Sequence, residues 1–79
     1  MKLKKNIAVS ESGFLFDPNT GDSFSVNETG KKIIELLKEE KTDDEIIKWF
    51  AENYEIDKLT FENNFYDFAA VLQNYHLTE

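Results

Sequence analysis

Hydrophobic positions along the chain follow two periods. Through residue 26 they come in short clusters, Ile7-Ala8-Val9, Phe14-Leu15-Phe16 and Phe24-Ser25-Val26, rich in aromatic and β-branched residues. Such clusters predict strands over Lys5–Val9, Phe14–Phe16 and Asp22–Val26. Asp17-Pro18-Asn19-Thr20-Gly21 separates the last two. Its Pro presets φ and its Gly permits φ > 0, so the pair reads as a hairpin. The predicted sheet is small, antiparallel and three-stranded, and it needs helices on one face to bury its aromatics.

From Asn27 onward the period is that of helices. Asn27 is a good N-cap, and Thr29, Ile33, Leu36 and Leu37 form one stripe until Glu39-Glu40-Lys41 breaks it. Thr42-Asp43-Asp44-Glu45 is a capping box with acids where the helix dipole favours them, followed by the apolar face Ile46, Ile47, Phe50 and Tyr54. A third helix, beginning near Asp57 or Thr60 and ending near His76, aligns Phe61, Phe65, Phe68 and Leu72. The predicted class is α+β, a winged helix-turn-helix-like plan.

Composition narrows the chemistry. Seventy-nine residues suit a single domain spanning 1–79, and 41% hydrophobic with 14% aromatic residues is too apolar for a disordered chain. The absence of Cys excludes disulfides, thiolate metal sites and Cys nucleophiles. Net charge is −7, all nine cations are Lys, and residues 43–79 carry two Lys against nine acids. Without Arg, and with only one Lys against four acids from Asp57 to Glu79, a groove-reading helix would meet strong repulsion from DNA. Nucleic acid is therefore not an expected partner. The apolar run after Met1-Lys2-Leu3-Lys4-Lys5 is too short for an export signal, and no stretch is long enough to span a membrane. The expected location is the cytoplasm.

Catalytic candidates are sparse. His76 is the only His and reads as a helix-end residue, and Asp43, Asp44 and Glu45 lack the spacing of a calcium loop. Gly13, Gly21 and Gly30 stand singly, so no phosphate cradle exists. Gly30 falls in the first turn of a helix, where Gly costs about 1 kcal/mol relative to Ala unless close packing to the sheet requires it. No catalytic residue, cofactor or metal is expected. What remains is a protein-binding surface, for which the free edge of the third strand is the natural candidate: Ser23 and Ser25 alternate with Phe24 and Val26.

The run Val26-Asn27-Glu28-Thr29-Gly30-Lys31-Lys32-Ile33-Ile34-Glu35-Leu36-Leu37 resembles the signature of the PqqD-like family, an apolar residue and Asn leading into a helix that ends in paired Leu. Thr42-Asp43-Asp44-Glu45-Ile46-Ile47, then Phe50 and Tyr54, then Phe61, Phe65, Phe68, Leu72 and Leu77 continue the likeness, and Phe14-Leu15-Phe16-Asp17 with Pro18 and Gly21 resembles the family's hairpin. Departures are Ala69 in place of a more usual Leu, His76 in place of Gly, and Ile34 where Trp is frequent. The resemblance implies a RiPP recognition element, a non-catalytic peptide chaperone. Such a module binds the leader of a ribosomally made precursor peptide as an added strand and presents it to a modifying enzyme, often a radical SAM maturase. On this chain it implies peptide contacts from Ser23, Phe24, Ser25 and Val26, and from one flank of the third helix. Tyr66, Ala69 and Gln73 are assigned to that wall, with Asn64, Val71 and Tyr75 the opposite choice. A free sheet edge is also open to a second copy, so the expected state is a monomer or weak homodimer. The alternative is a stand-alone acidic interaction module with an unrelated partner; winged-helix DNA binding ranks last.

Overall fold

The computed structural model describes residues 1–79. Strands β1 (Ala8–Val9), β2 (Phe14–Phe16) and β3 (Ser23–Ser25) precede helices α1 (Glu28–Lys38), α2 (Asp43–Asn53) and α3 (Lys58–Asn74). The sheet is antiparallel in the order β1-β2-β3, which leaves β3 on an edge. It is the α+β plan with three strands followed by three helices.

The hairpin turn forms as its residues dictate. Asp17 Oδ1 accepts the N–H of Asn19 at 2.9 Å, the Asp17 carbonyl accepts that of Gly21 at 2.8 Å, and Gly21 takes φ 77°. At Gly13 (φ 89°) the constraint is space as well as torsion. A Cβ there would sit 2.8 Å from the Val26 carbonyl oxygen, the chain that Gly13 pairs with through a Val26 N–H to Gly13 O bond of 2.8 Å. A side chain at 13 would push β3 off β2.

The first strand is shorter than Lys5–Val9. The chain turns at Lys5 and Asn6, with the Ile7 N–H donating to the Lys4 carbonyl, and the Lys38 ammonium holds the Ile7 carbonyl. Residues 2–4 instead pair with the C-terminal segment: Lys4 N–H to Leu77 O at 2.9 Å, Glu79 N–H to Lys2 O at 2.8 Å, and Leu3 opposite Thr78. This seats Leu3, Ile7 and Leu77 in the core. The sheet's aromatics also differ from expectation. Successive strand residues face opposite sides, so burying Leu15 turns Phe14 and Phe16 outward, where they are 52% and 43% exposed.

The core lies between the inner sheet face and the three helices. Ile33, Ile34, Leu36 and Leu37 of α1 join Ile46, Ile47 and Phe50 of α2 and Phe61, Phe65 and Leu72 of α3. Phe50 and Phe61 stack at 4.3 Å, tying α2 to α3. Tyr54, expected on the buried face of α2, caps its end and is 52% exposed, and Thr29 is exposed at the start of α1. Ile34 is fully buried, although the stripe read from the sequence omitted it. No helix is long and apolar enough to cross a membrane.

Each helix start carries a side-chain cap. Asn27 Oδ1 accepts the Gly30 N–H at 2.8 Å, and Asp57 Oδ2 accepts that of Thr60 at 3.0 Å. At α2 the box is reciprocal: Glu45 N–H donates to Thr42 Oγ1 at 3.1 Å and Thr42 N–H to Glu45 Oε1 at 3.0 Å. At the far end of α3, His76 adopts φ 59°, a left-handed residue closing the helix as Gly usually does.

Two predictions follow from the caps. Asn27→Ala removes the acceptor for one orphan N–H, so thermal or denaturant unfolding should show a loss of about 1 kcal/mol. The hydrogen bond from the Thr42 backbone N–H, then that with the Thr42 side chain, holds the Glu45 carboxyl below its ordinary value of 4.5. A depressed folded-state pKa stabilises above the unfolded value and the contribution disappears as pH falls through the folded one. A Glu45→Gln variant, which keeps the box, should therefore show a shallower fall in melting temperature than the parent between about pH 6 and about pH 3.

Candidate functional site

The free edge of β3 has a defined hydrogen-bonding phase. Asp17 N–H donates to Asp22 O at 2.9 Å and Val26 N–H to Gly13 O at 2.8 Å. Bonded and non-bonded pairs alternate along an antiparallel ladder. Phe24, opposite Leu15, is therefore the bonded residue between them. Ser23 and Ser25, opposite Phe16 and Phe14, turn their N–H and C=O groups to the open side. Two residues thus offer an edge template, and their small exposed hydroxymethyl side chains leave it accessible.

Phe24 and Val26 point the other way, into the helical layer, and are half-buried. The Phe24 ring meets the Tyr75 ring at 4.6 Å between centroids, tilted by 45°. Below them α1 and α3 converge: a Cβ on Gly30 would lie 3.1 Å from Val26 Cβ and 3.3 Å from Phe68 Cζ. The α3 residues that reach β3 are therefore Phe68 and Tyr75. Helical spacing puts Asn64 and Val71 on the same flank, and Val71 and Tyr75 are 46% and 54% exposed. The open strand edge and this partly exposed apolar flank are joined through the Phe24–Tyr75 contact and form the candidate site.

Tyr66, Ala69 and Gln73, the residues assigned to the wall from the sequence, lie on the other flank of α3 from Phe68 and Tyr75. Ala69 and Gln73 border a shallow depression with Met1, Lys2, Thr78 and Glu79, and Tyr66 borders a larger cleft against the N-terminal segment. The pairing of residues 2–4 with 77–79 brings those two segments beside this flank. Burial, followed by the Asp43, Glu62 and Asp44 carboxylates, raises the Tyr66 hydroxyl above its ordinary value of 10.0. Phe68 was read only as a core residue. Its signal is Gly30: a glycine in the first turn of a helix marks a close neighbour, and Phe68 is one of its two apolar neighbours.

Phe24, Val26, Phe68 and Val71 are the candidate site's apolar side chains, Ser23, Ser25 and Tyr75 bring hydroxyls and Asn64 an amide, and no cluster of three or more His, Asp or Glu residues is placed to hold a metal ion. His76 is exposed beyond the end of α3.

Three comparisons bear on the lineage. No curated protein matches the chain. Among solved structures, the fold is similar to that of TbiB1 in complex with the TbiA(beta) leader peptide, with 30% identity, a TM-score of 0.89, and coverage of 100% of this chain and 95% of the other. It is also similar to lasso peptide synthetase B1 complexed with the leader peptide, with 19% identity, a TM-score of 0.79, and coverage of 94% and 91%, a likeness of fold. The model of coenzyme PQQ synthesis protein D (PqqD) matches residues 13–77, from just before β2 to just beyond the end of α3, and the chain belongs to the PqqD family.

Proposed function

We propose that this protein binds the leader segment of a ribosomally made precursor peptide as a fourth strand on β3 and presents it to a modifying enzyme without performing chemistry itself. The observation that carries the reading is the phase of β3, with the Ser23 and Ser25 main-chain groups facing an open edge beside an apolar wall. Strand addition draws affinity from main-chain hydrogen bonds and specificity from pockets for alternate side chains. The incoming strand's inward side chains would meet Phe24, Val26, Phe68, Val71 and Tyr75. The solved neighbour at 30% identity holds a leader peptide, which supports the same use here. The partner enzyme is proposed to be a radical SAM maturase in the cytoplasm, on the family resemblance. A coding region for such an enzyme beside one for a short precursor peptide, next to this chain's own, is the observation that checks it.

Two substitutions test the peptide site with the leader of that precursor. Because the Ser25 N–H faces outward, Ser25→Pro removes an edge donor without breaking the β2 ladder, a position where edge strands tolerate Pro. Circular dichroism should remain that of the parent while calorimetric affinity falls about tenfold or more. Unchanged affinity in a folded variant would sink strand addition. Tyr75→Ala should weaken leader binding by a similar factor, whereas Gln73→Ala on the opposite flank should leave it unchanged; the reverse ranking would return the groove to the Tyr66 side.

A further inference from the structure

The cations of this acidic chain are not spread over its surface. Five of the nine Lys (Lys2, Lys4, Lys5, Lys38 and Lys41) surround one cleft of about 590 Å³ between the N-terminal segment, the end of α1 and the start of α2. Of the others, Lys31 and Lys32 pair with Glu35, and Lys48 with Glu52. None of the five at the cleft has a carboxylate within ion-pair distance. Four acids share the rim, but Asp43 is taken up by the Met1 ammonium at 2.8 Å. The rest of the chain carries four Lys against twelve acids, so the molecule is polarised with this cleft at its positive end.

We propose that the cleft docks an acidic segment of a partner protein, on the flank of α3 opposite the peptide groove. The position follows from Tyr66, which borders the cleft, while Phe68 and Tyr75 reach β3. The chemistry selects the class of occupant. A phosphate would look for convergent backbone donors or an Arg fork, but the N-terminus of α2 is already capped by Thr42 and filled by Asp43, Asp44 and Glu45, and the chain has no Arg. A nucleic acid would meet the net charge of −7 and the rim carboxylates Glu40, Asp44 and Glu79. Spaced ammonium groups on flexible stems suit separated carboxylates on a peptide instead. Leu3, Leu37 and the Tyr66 ring supply apolar lining for side chains between those carboxylates. A positive cleft on a negative body also orients such a partner during approach. Both flanks of α3 can then be occupied at once, one by a strand-forming peptide and one by an acidic segment.

The probe is a capped octaglutamate peptide titrated into the isotopically labelled whole chain at low salt, with octalysine as control. The expected result is saturable shifts of the amides of residues 2–5 and 38–44, no matching response to octalysine, and weakening as salt rises towards about 0.15 M. Lys2→Glu, Lys5→Glu and Lys41→Glu together reverse three exposed charges. They should cut the affinity about tenfold or more, while the same three changed to Arg retain it. Lys38 is left alone because it holds the Ile7 carbonyl. Octaglutamate that fails to bind, that shifts β3 and Tyr75 instead, or that ignores the charge reversal would overturn the proposal. Displacement by inorganic phosphate at matched ionic strength, or equal binding of a short single-stranded DNA, would overturn it in favour of a small-anion or general polyanion site.

Discussion

At Gly30 three elements approach so closely that a side chain would fit only if its neighbours gave way by a few tenths of an ångström. Val26 at the end of β3, Asn27 at the cap of α1 and Phe68 on α3 all stand within 3.3 Å of where a Cβ would be. The hydrogen on Gly30 lets α1 start immediately after the strand, so its first turn lies under β3. That closeness brings α3 within reach as well, and the Phe24–Tyr75 contact stands beside it. The groove therefore depends on a residue that does not line it. The helix-propensity cost of about 1 kcal/mol at Gly30 is the consequence of keeping sheet and helices in register.

The strands are two or three residues long, too short to be stable as an isolated ribbon. Leu15, buried at the centre of the sheet, is what fastens it to the core, with Phe24 half-buried beside it. Beyond them the sheet is thin: Phe14 and Phe16 face solvent, and the outer edge of β3 is backbone and serine. An added strand on that edge would extend a ladder that already has a rigid inner member at Phe24. The helical layer is held by contacts remote from that edge, the Phe50–Phe61 stack and the three capped helix starts.

Local chemistry was legible in the sequence because it acts over a few residues. Asn27, the Thr42–Glu45 box, Asp57 and the Asp17–Gly21 turn all sit where their residue types placed them. What could not be read was anything that depends on which element arrives next to which. The stripe of α3 fixed its buried centre but left two flanks equivalent. The return of residues 77–79 to residues 2–4, a contact between distant segments, is what sets one flank apart from the other. The same contact accompanies the short β1: with residues 2–4 paired to the C-terminal segment, Lys5 and Asn6 turn the chain and the strand begins only at Ala8. Phe14 and Phe16 show a related limit: in a three-residue strand one face must lose, and the turn geometry at Gly13 and Asp17 gave the inner face to Leu15.

An open strand edge ordinarily invites unwanted pairing between copies. Here its length, the exposed Asp22 at its start and two serines make it a poor partner for itself. The net charge of −7 adds an average repulsion between identical chains that salt screens beyond the Debye length. A peptide without that charge meets no such barrier. Net charge acts on any approaching chain at a distance, whereas the main-chain groups of Ser23 and Ser25 act only at hydrogen-bond range, so the two features of this molecule operate at separate stages of an encounter.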